Sequence, residues 1–321
     1  MSTAPLFQEM DYTYTVIDSH IHLAGPELIN EWVDNDLNTD ATTMQPNTAV
    51  AVHRQSGDLL EHALTREIQH CNSTSRPLRV THYVFVECFN DNSSLKEAIW
   101  ALSMVQDPSS LVSAVVAHVP VPEGGEAVKA FMQSLPAELL PGLRGARVSL
   151  LGNPMPAPDA CLTTDYETGL QMLEEFGLCW EICCHFSALV HVATHCANRP
   201  HLTFVLDHLG RNGGDESDIQ EWKSAIAALA KHPNVYAKVG GIEEWGVKDP
   251  NPLLDWAVVC FGFQRLMFES NWFVSKSVGF TYDRLVKTTE TALRRNHATE
   301  GDVQDVFGRN AERVYRLTPA L

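Results

Sequence analysis

Residues 12–23 read YTYTVIDSHIHL, an apolar, β-branched run that ends in two histidines one residue apart. A run of this kind fits a strand buried on both faces, because helices packed on each side remove the need for polar alternation. Similar runs recur: VTHYVFVEC (80–88), LVSAVVAHV (111–119), LRGARVSLL (143–151), LCWEICCHF (178–186), LTFVLDHLG (202–210), VYAKVGG (235–241) and RLMFESN (265–271). Helix-like stretches lie between them, among them GDLLEHALTREIQHC from Gly57, SLKEAIWALSMVQ from Ser94, TDYETGLQMLEEFG from Thr164 and DIQEWKSAIAALAKHP from Asp218. Thr164 and Glu167 have the spacing of a capping box, and Gly177 supplies a stop. Ile219, Trp222, Ile226 and Leu229 fall on one helical face. Strands alternating with helices predict an α/β fold, a single (β/α)8 TIM barrel over residues 1–321, with a doubly wound open sheet as the alternative. Residues 24–56 carry no clear period and read as a loop insertion over the active face.

Composition sets the outer limits. The chain has 321 residues, 45% of them hydrophobic and 20% charged, more than the roughly 250 that a barrel needs before insertions. Lys plus Arg number 23 against 40 Asp plus Glu, a formal charge of −17. That balance argues against nucleic acid, whose phosphates need a basic footprint, and against anionic lipid surfaces. No run of about 18 apolar residues offers a membrane span, and the first residues lack a basic stretch followed by an apolar one. The expectation is a cytoplasmic protein acting on a small molecule, with no nucleic-acid or membrane partner and an oligomeric state left open. Eight cysteines without a CxxC motif read as reduced thiols rather than a disulfide or zinc framework.

Three strand ends carry candidate chemistry. Residues two apart on a strand face the same side, so His20 and His22 are expected to project together, as a metal pair or as a proton-handling pair. Asp207 and His208 close the LTFVLDHLG run. Being adjacent, they are expected to face opposite ways, with His208 the ligand or acid/base candidate. In RLMFESNWF, Glu269 and Asn271 share one side, and an inward carboxylate needs a partner. Each residue also has a purely structural reading: a chance HxH, a plain strand terminus, a carboxylate bonded toward the helices.

The segments IDSHIHL, GLRGARVSL, LDHLG, NVYAKVGGI, RLMFESNWFV and GRNAERVYRL, in that order, resemble the amidohydrolase superfamily and its amidohydrolase-2 branch of TIM-barrel hydrolases, which includes sugar-lactone hydrolases. The resemblance covers most of the chain. It implies a site at the C-terminal mouth of the barrel, with His20 and His22 as metal ligands and His208 catalytic. It further implies an acidic Glu87 ending the second strand, Arg147 binding a carboxylate or lactone oxygen, and His185 ending the fifth strand; Arg147 can alternatively only bridge barrel carboxylates. His118 is read as structural. His185, Glu269 and Trp272 are expected at the substrate, with Trp245 also shaping the pocket, and Glu181 shares its strand face with His185. Asn271 departs from the pattern: relatives carry an Asp there that takes a proton from the attacking water, and an amide has no basic site near neutral pH. A histidine, Glu269 or Glu87 then replaces the missing base, or the chemistry needs no activated water. The reaction expected is hydrolysis of a small lactone, with one divalent ion, zinc, or none, and no organic cofactor. The alternatives are decarboxylation of an unsaturated or aromatic acid and a non-hydrolytic ligand-binding or cyclase-like barrel.

Overall fold

A computed structural model describes residues 14–23, 60–71, 78–88, 93–151, 156–210, 218–242 and 249–318. The expected insertion at 24–56 and Trp245 lie outside the described residues. Eight strands form one parallel sheet in sequential order: β1 (Tyr14–Ile21), β2 (Leu78–Val86), β3 (Val112–His118), β4 (Leu143–Leu150), β5 (Cys179–Cys184), β6 (Phe204–Leu206), β7 (Val235–Val239) and β8 (Leu266–Phe268). The first and last strands meet through a parallel bridge between Ile21 and Trp272, the His22 amide donating to the Trp272 carbonyl at 2.7 Å. This is the (β/α)8 barrel, and the open-sheet alternative falls.

Helices cover the outside, among them α1 (Leu60–Cys71), α2 (Ser94–Val105), α3 (Gly125–Ser134), α4 (Thr164–Phe176), α5 (Leu189–Asn198), α6 (Ile219–Leu229), α7 (Asn251–Phe261) and α8 (Tyr282–Arg295). On α6, Trp222, Ile226 and Leu229 are buried, as the one-face pattern predicts. The start of α4 differs from expectation. Thr163, in extended conformation, is the N-cap and accepts the Tyr166 amide at 3.1 Å. Glu167 cannot complete a box with Thr164 because Arg199 Nη2 and His195 Nδ1 hold its carboxylate at 2.6 and 2.8 Å. Gly177 does end the helix, with φ of 66°.

Two apolar layers result. The larger lies between strands and helices. The smaller fills the lower barrel interior, where Ile17, Val84, Val116, Val205 and Met267 meet Ala311, Tyr315 and Leu317 of the C-terminal run. Tyr315 is therefore a plug inserted from the N-terminal face, and what lies above it is polar.

Candidate active site

Above the plug the inward positions stop being apolar. Glu181, Lys238, Asp207, Glu269, His20 and Arg147 are all buried at the C-terminal half of the barrel. The floor is a chain of ionic contacts. Tyr315 Oη donates to Glu181 Oε1 at 2.5 Å. Lys238 Nζ reaches Glu181 Oε2 at 2.6 Å, Asp207 Oδ1 at 3.1 Å and His20 Nδ1 at 3.2 Å. Arg147 completes the layer, its Nε donating to Glu87 Oε1 at 2.7 Å, its Nη2 to the Glu87 carbonyl at 2.7 Å and its Nη1 to Asp207 Oδ2 at 3.2 Å. Arg147 thus does bridge barrel carboxylates, while its Nη1 also lies 3.3 Å from His20 Nε2.

The short β6 changes how Asp207 and His208 are displayed. After Leu206 the chain turns at once, and His208 takes φ of 51°. The two side chains therefore do not alternate as on a strand, and both enter the mouth, contrary to the expectation that only one can. His208 Nδ1 lies 3.0 Å from Glu269 Oε1, and the same oxygen accepts the His208 amide at 3.1 Å. The close approach requires the glycines after β7. A Cβ on Gly240 would sit 2.1 Å from the Glu269 carbonyl oxygen, and one on Gly241 would sit 2.1 Å from His208 Nδ1.

Electrostatics follow from these contacts. Burial opposes ionisation of Glu269, yet His208 and His20 hold its carboxyl down at about 2. Burial likewise opposes Asp207, which Lys238, His20 and Arg147 hold well below its ordinary value. Lys238 loses hydration but is raised by Asp207, Glu181 and Glu269. Burial pushes Glu181 up to about 8 against the pull of Lys238. Burial and the Lys238 charge lower His20 to about 4, and burial lowers His22 as well. The imidazoles of His20 and His22 are therefore neutral at pH 7, the form in which they bind metal or accept protons.

The fit to a divalent ion turns on tautomers. His22 Nδ1 lies 3.0 Å from the Val86 carbonyl, which fixes its proton there and leaves Nε2 as an acceptor. That Nε2 is 3.1 Å from His20 Nε2. When His20 Nδ1 accepts from Lys238, its Nε2–H donates to His22 and the chain closes without an ion. When Nδ1–H instead points to Glu269 Oε2 at 3.1 Å, two Nε2 lone pairs converge, an arrangement that fits zinc or another borderline cation. Ligand atoms of His20, Asp207 and His208 also lie within 4.8 Å of one another. The donor set thus fits a divalent ion, with Lys238 and Arg147 as fixed cations competing for Asp207.

Other expected residues are placed elsewhere. Asn271, buried with φ of 47°, donates its backbone N–H to the His20 carbonyl at 3.0 Å and so helps close the barrel beside the cluster. His185 caps the turn after β5, its Nδ1 2.9 Å from Ser187 Oγ. The Trp272 ring is buried in the outer core, its Nε1 3.5 Å from Glu67 Oε2 of α1. His118 ends β3 in register with Arg147. Lys238 is not among the residues expected at the site, although a lone lysine inside the apolar run VYAKVGG is its signal. Cys88, whose Sγ is 3.5 Å from His22 Nδ1, left no signal beyond its place at a strand end.

The family model of the amidohydrolases matches residues 17–317. An L-fucono-1,5-lactonase from Burkholderia multivorans is 28% identical over 169 residues, which is 48% of this chain and 56% of that protein. The chain spans about half the length of the curated relatives it matches. Among solved structures, a zinc-bound amidohydrolase from Burkholderia multivorans superposes with a TM-score of 0.70 at 21% identity, covering 95% of this chain and all of the other. A 5-carboxyvanillate decarboxylase from Sphingomonas paucimobilis superposes with a TM-score of 0.64 at 13% identity, covering 95% of this chain and all of the other. At those identities the likeness is one of fold. The match of the family model along nearly the whole barrel is of another kind, and on it the chain belongs to the amidohydrolase family.

Proposed function

We propose that this amidohydrolase hydrolyses the C–O ester bond of a small-molecule lactone at the C-terminal mouth of its barrel. The observation that carries the reading is the His208–Glu269 pair at 3.0 Å. A carboxylate held at about 2 accepts the Nδ1–H hydrogen bond and leaves Nε2 as the basic atom, the arrangement by which an oriented imidazole activates water. His208 is 12% exposed at the mouth while Glu269 is fully buried, so the base meets substrate and its orienting partner stays dry. Arg147, fixed by Glu87 and Asp207, presents Nη1 toward the imidazoles and stabilises the oxyanion that forms as the carbonyl is attacked. His20 and His22, with Asp207, would hold a divalent ion, which supplies carbonyl polarisation and a lowered pKa for water. The lactonase relatives favour a sugar lactone as the substrate class.

A pH-indicator screen over sugar and aromatic lactones, with carbon dioxide measured in parallel, tests the reaction. Acid release without carbon dioxide is expected. His208→Ala is expected to lower kcat by at least about 10²-fold, the scale of a general base; an unchanged rate would remove His208 from the mechanism. Asn271 favours a second reading, decarboxylation, because an amide at the end of β8 supplies no base while Arg147 and Lys238 supply charge for an acid. Carbon dioxide release would select it. Under the hydrolytic reading Asn271→Asp restores a carboxylate, and the bound metal measured on the purified protein is expected to rise. A loss of both metal and activity would mark the amide as a substrate contact.

A further inference from the structure

We propose a second ligand site on the N-terminal face of the barrel, a cleft that binds an oxyanion of the phosphate class through Arg144 and Arg316. The cleft has a volume of about 300 Å³ and includes His82, Gln106, Ser113, Glu138, Arg144 and Arg316 in its lining. It is remote from the mouth. Arg144 is the second residue of β4, and Arg147, at the floor of the candidate active site, lies three residues farther along the same strand, about 10 Å at strand rise. The odd number of steps also sends the two arginines to opposite faces of the strand.

The two guanidiniums are anomalous in a chain with a net charge of −17. Neither makes a hydrogen bond or an ion pair among the described residues, whereas Arg147, Arg199 and Arg295 are each held by carboxylates. The Nε atom of Arg144 is buried and has no hydrogen-bond partner. The charges are close enough to interact: burial and then the Arg316 charge both lower Arg144. Arg144 is half-buried and Arg316 exposed; two like charges side by side are unfavourable by themselves and become favourable around an anion, which guanidiniums bind through parallel N–H donors.

The neutral groups fit the same ligand. Ser113 Oγ already donates to the Leu111 carbonyl at 3.0 Å, so its oxygen faces the cleft as an acceptor suited to a protonated phosphate oxygen. Gln106 Nε2 spends one N–H on the Glu138 carbonyl at 2.8 Å and keeps a second. Among the described residues Glu138 is the one acidic side chain in the lining, and it is exposed to solvent. The volume exceeds what a bare ion needs, so either free phosphate or a small phosphomonoester fits. Arg316 follows Tyr315, the plug whose hydroxyl bonds Glu181. An anion held between Arg144 and Arg316 therefore ties the C-terminal run to β4 and stabilises the fold.

Calorimetric titration and thermal melts of the full chain with inorganic phosphate and with glucose 6-phosphate, at ionic strength fixed with sodium chloride, test the site. Saturable binding with a rise in Tm is expected for the wild type. Arg144→Gln and Arg316→Gln are each expected to weaken binding at least about tenfold, while His208→Ala leaves it unchanged. Tighter binding of the sugar phosphate identifies an esterified ligand, and equal binding identifies free phosphate. A response no greater than that of sodium chloride, undiminished affinity in both arginine variants, or loss on His208→Ala overturns the site.

Discussion

Asp18 shows how one buried carboxyl can make the barrel sensitive to pH. It is fully buried at the seam between β1 and β8, where its Oδ1 accepts the Ser270 amide at 2.9 Å and the His20 amide at 3.3 Å. Two amide donors do not offset the lost hydration, and burial raises the carboxyl from 3.8 to about 7. The sign of the effect is fixed by linkage. Below pH 3.8 the group is protonated in both states. Between 3.8 and about 7 only the unfolded chain is ionised, so stability falls as pH rises, and above about 7 the loss is complete. Asp18→Asn keeps the Oδ1 acceptor and removes the titration. The variant is expected to gain stability over wild type progressively from pH 4 to pH 7, by an amount on the order of 2–4 kcal/mol at pH 8. Urea unfolding at pH 4.5 and pH 8 measures it. An equal difference at the two pH values would place the carboxyl at its ordinary value in the fold.

At the level of elements, the two glycines that end β7 decide whether the mouth can be assembled. Gly241 has φ of 64°, and an added methyl would lie 2.1 Å from His208 Nδ1. Gly241→Ala is expected to push the ring off Glu269 and lower kcat about 10- to 100-fold, as ångström-scale misplacement does. The melting temperature should drop only by the modest cost of alanine in a left-handed conformation. An unchanged kcat would mean that the contact with Glu269 does not set the rate. These elements also mark what sequence alone conveys. Strand order is legible because each parallel strand is a short, β-branched apolar run set between longer amphipathic stretches, so length and composition separate the two. The HxH pair was legible because side chains two apart share a face. Asp207 departs from the expected alternation because β6 ends at Leu206, so the strand rule no longer applies one residue later. The cap falls at Thr163 and not Thr164 because Thr163 is the residue whose extended backbone lets its side chain accept the Tyr166 amide, a choice between two adjacent threonines that spacing does not make.

Across the whole molecule, the fold and the chemistry meet at Lys238. Its ammonium is fully buried and joins the plug below, through Glu181 and Tyr315, to Asp207 and His20 above. A buried ion network of this kind stabilises little in net terms while complete, because desolvation offsets the attraction, but removing one member exposes the cost of the rest. Lys238→Met fills a similar volume and leaves Asp207 and Glu181 without their shared cation. A loss of about 3–5 kcal/mol is expected for the single variant. Glu181→Gln in the same chain removes one stranded carboxylate and still accepts from Tyr315, while Asp207 keeps Arg147 at 3.2 Å. The double variant is therefore expected to recover at least about 1 kcal/mol relative to Lys238→Met, a non-additivity typical of groups in one network. Activity is expected to stay low in both, because the ammonium that holds Asp207 at 3.1 Å beside His20 is gone. Denaturant unfolding read beside kcat separates the two consequences: stability that returns without activity assigns Lys238 to the imidazole chain, and stability that fails to return would show that Asp207, not Glu181, bears the uncompensated charge.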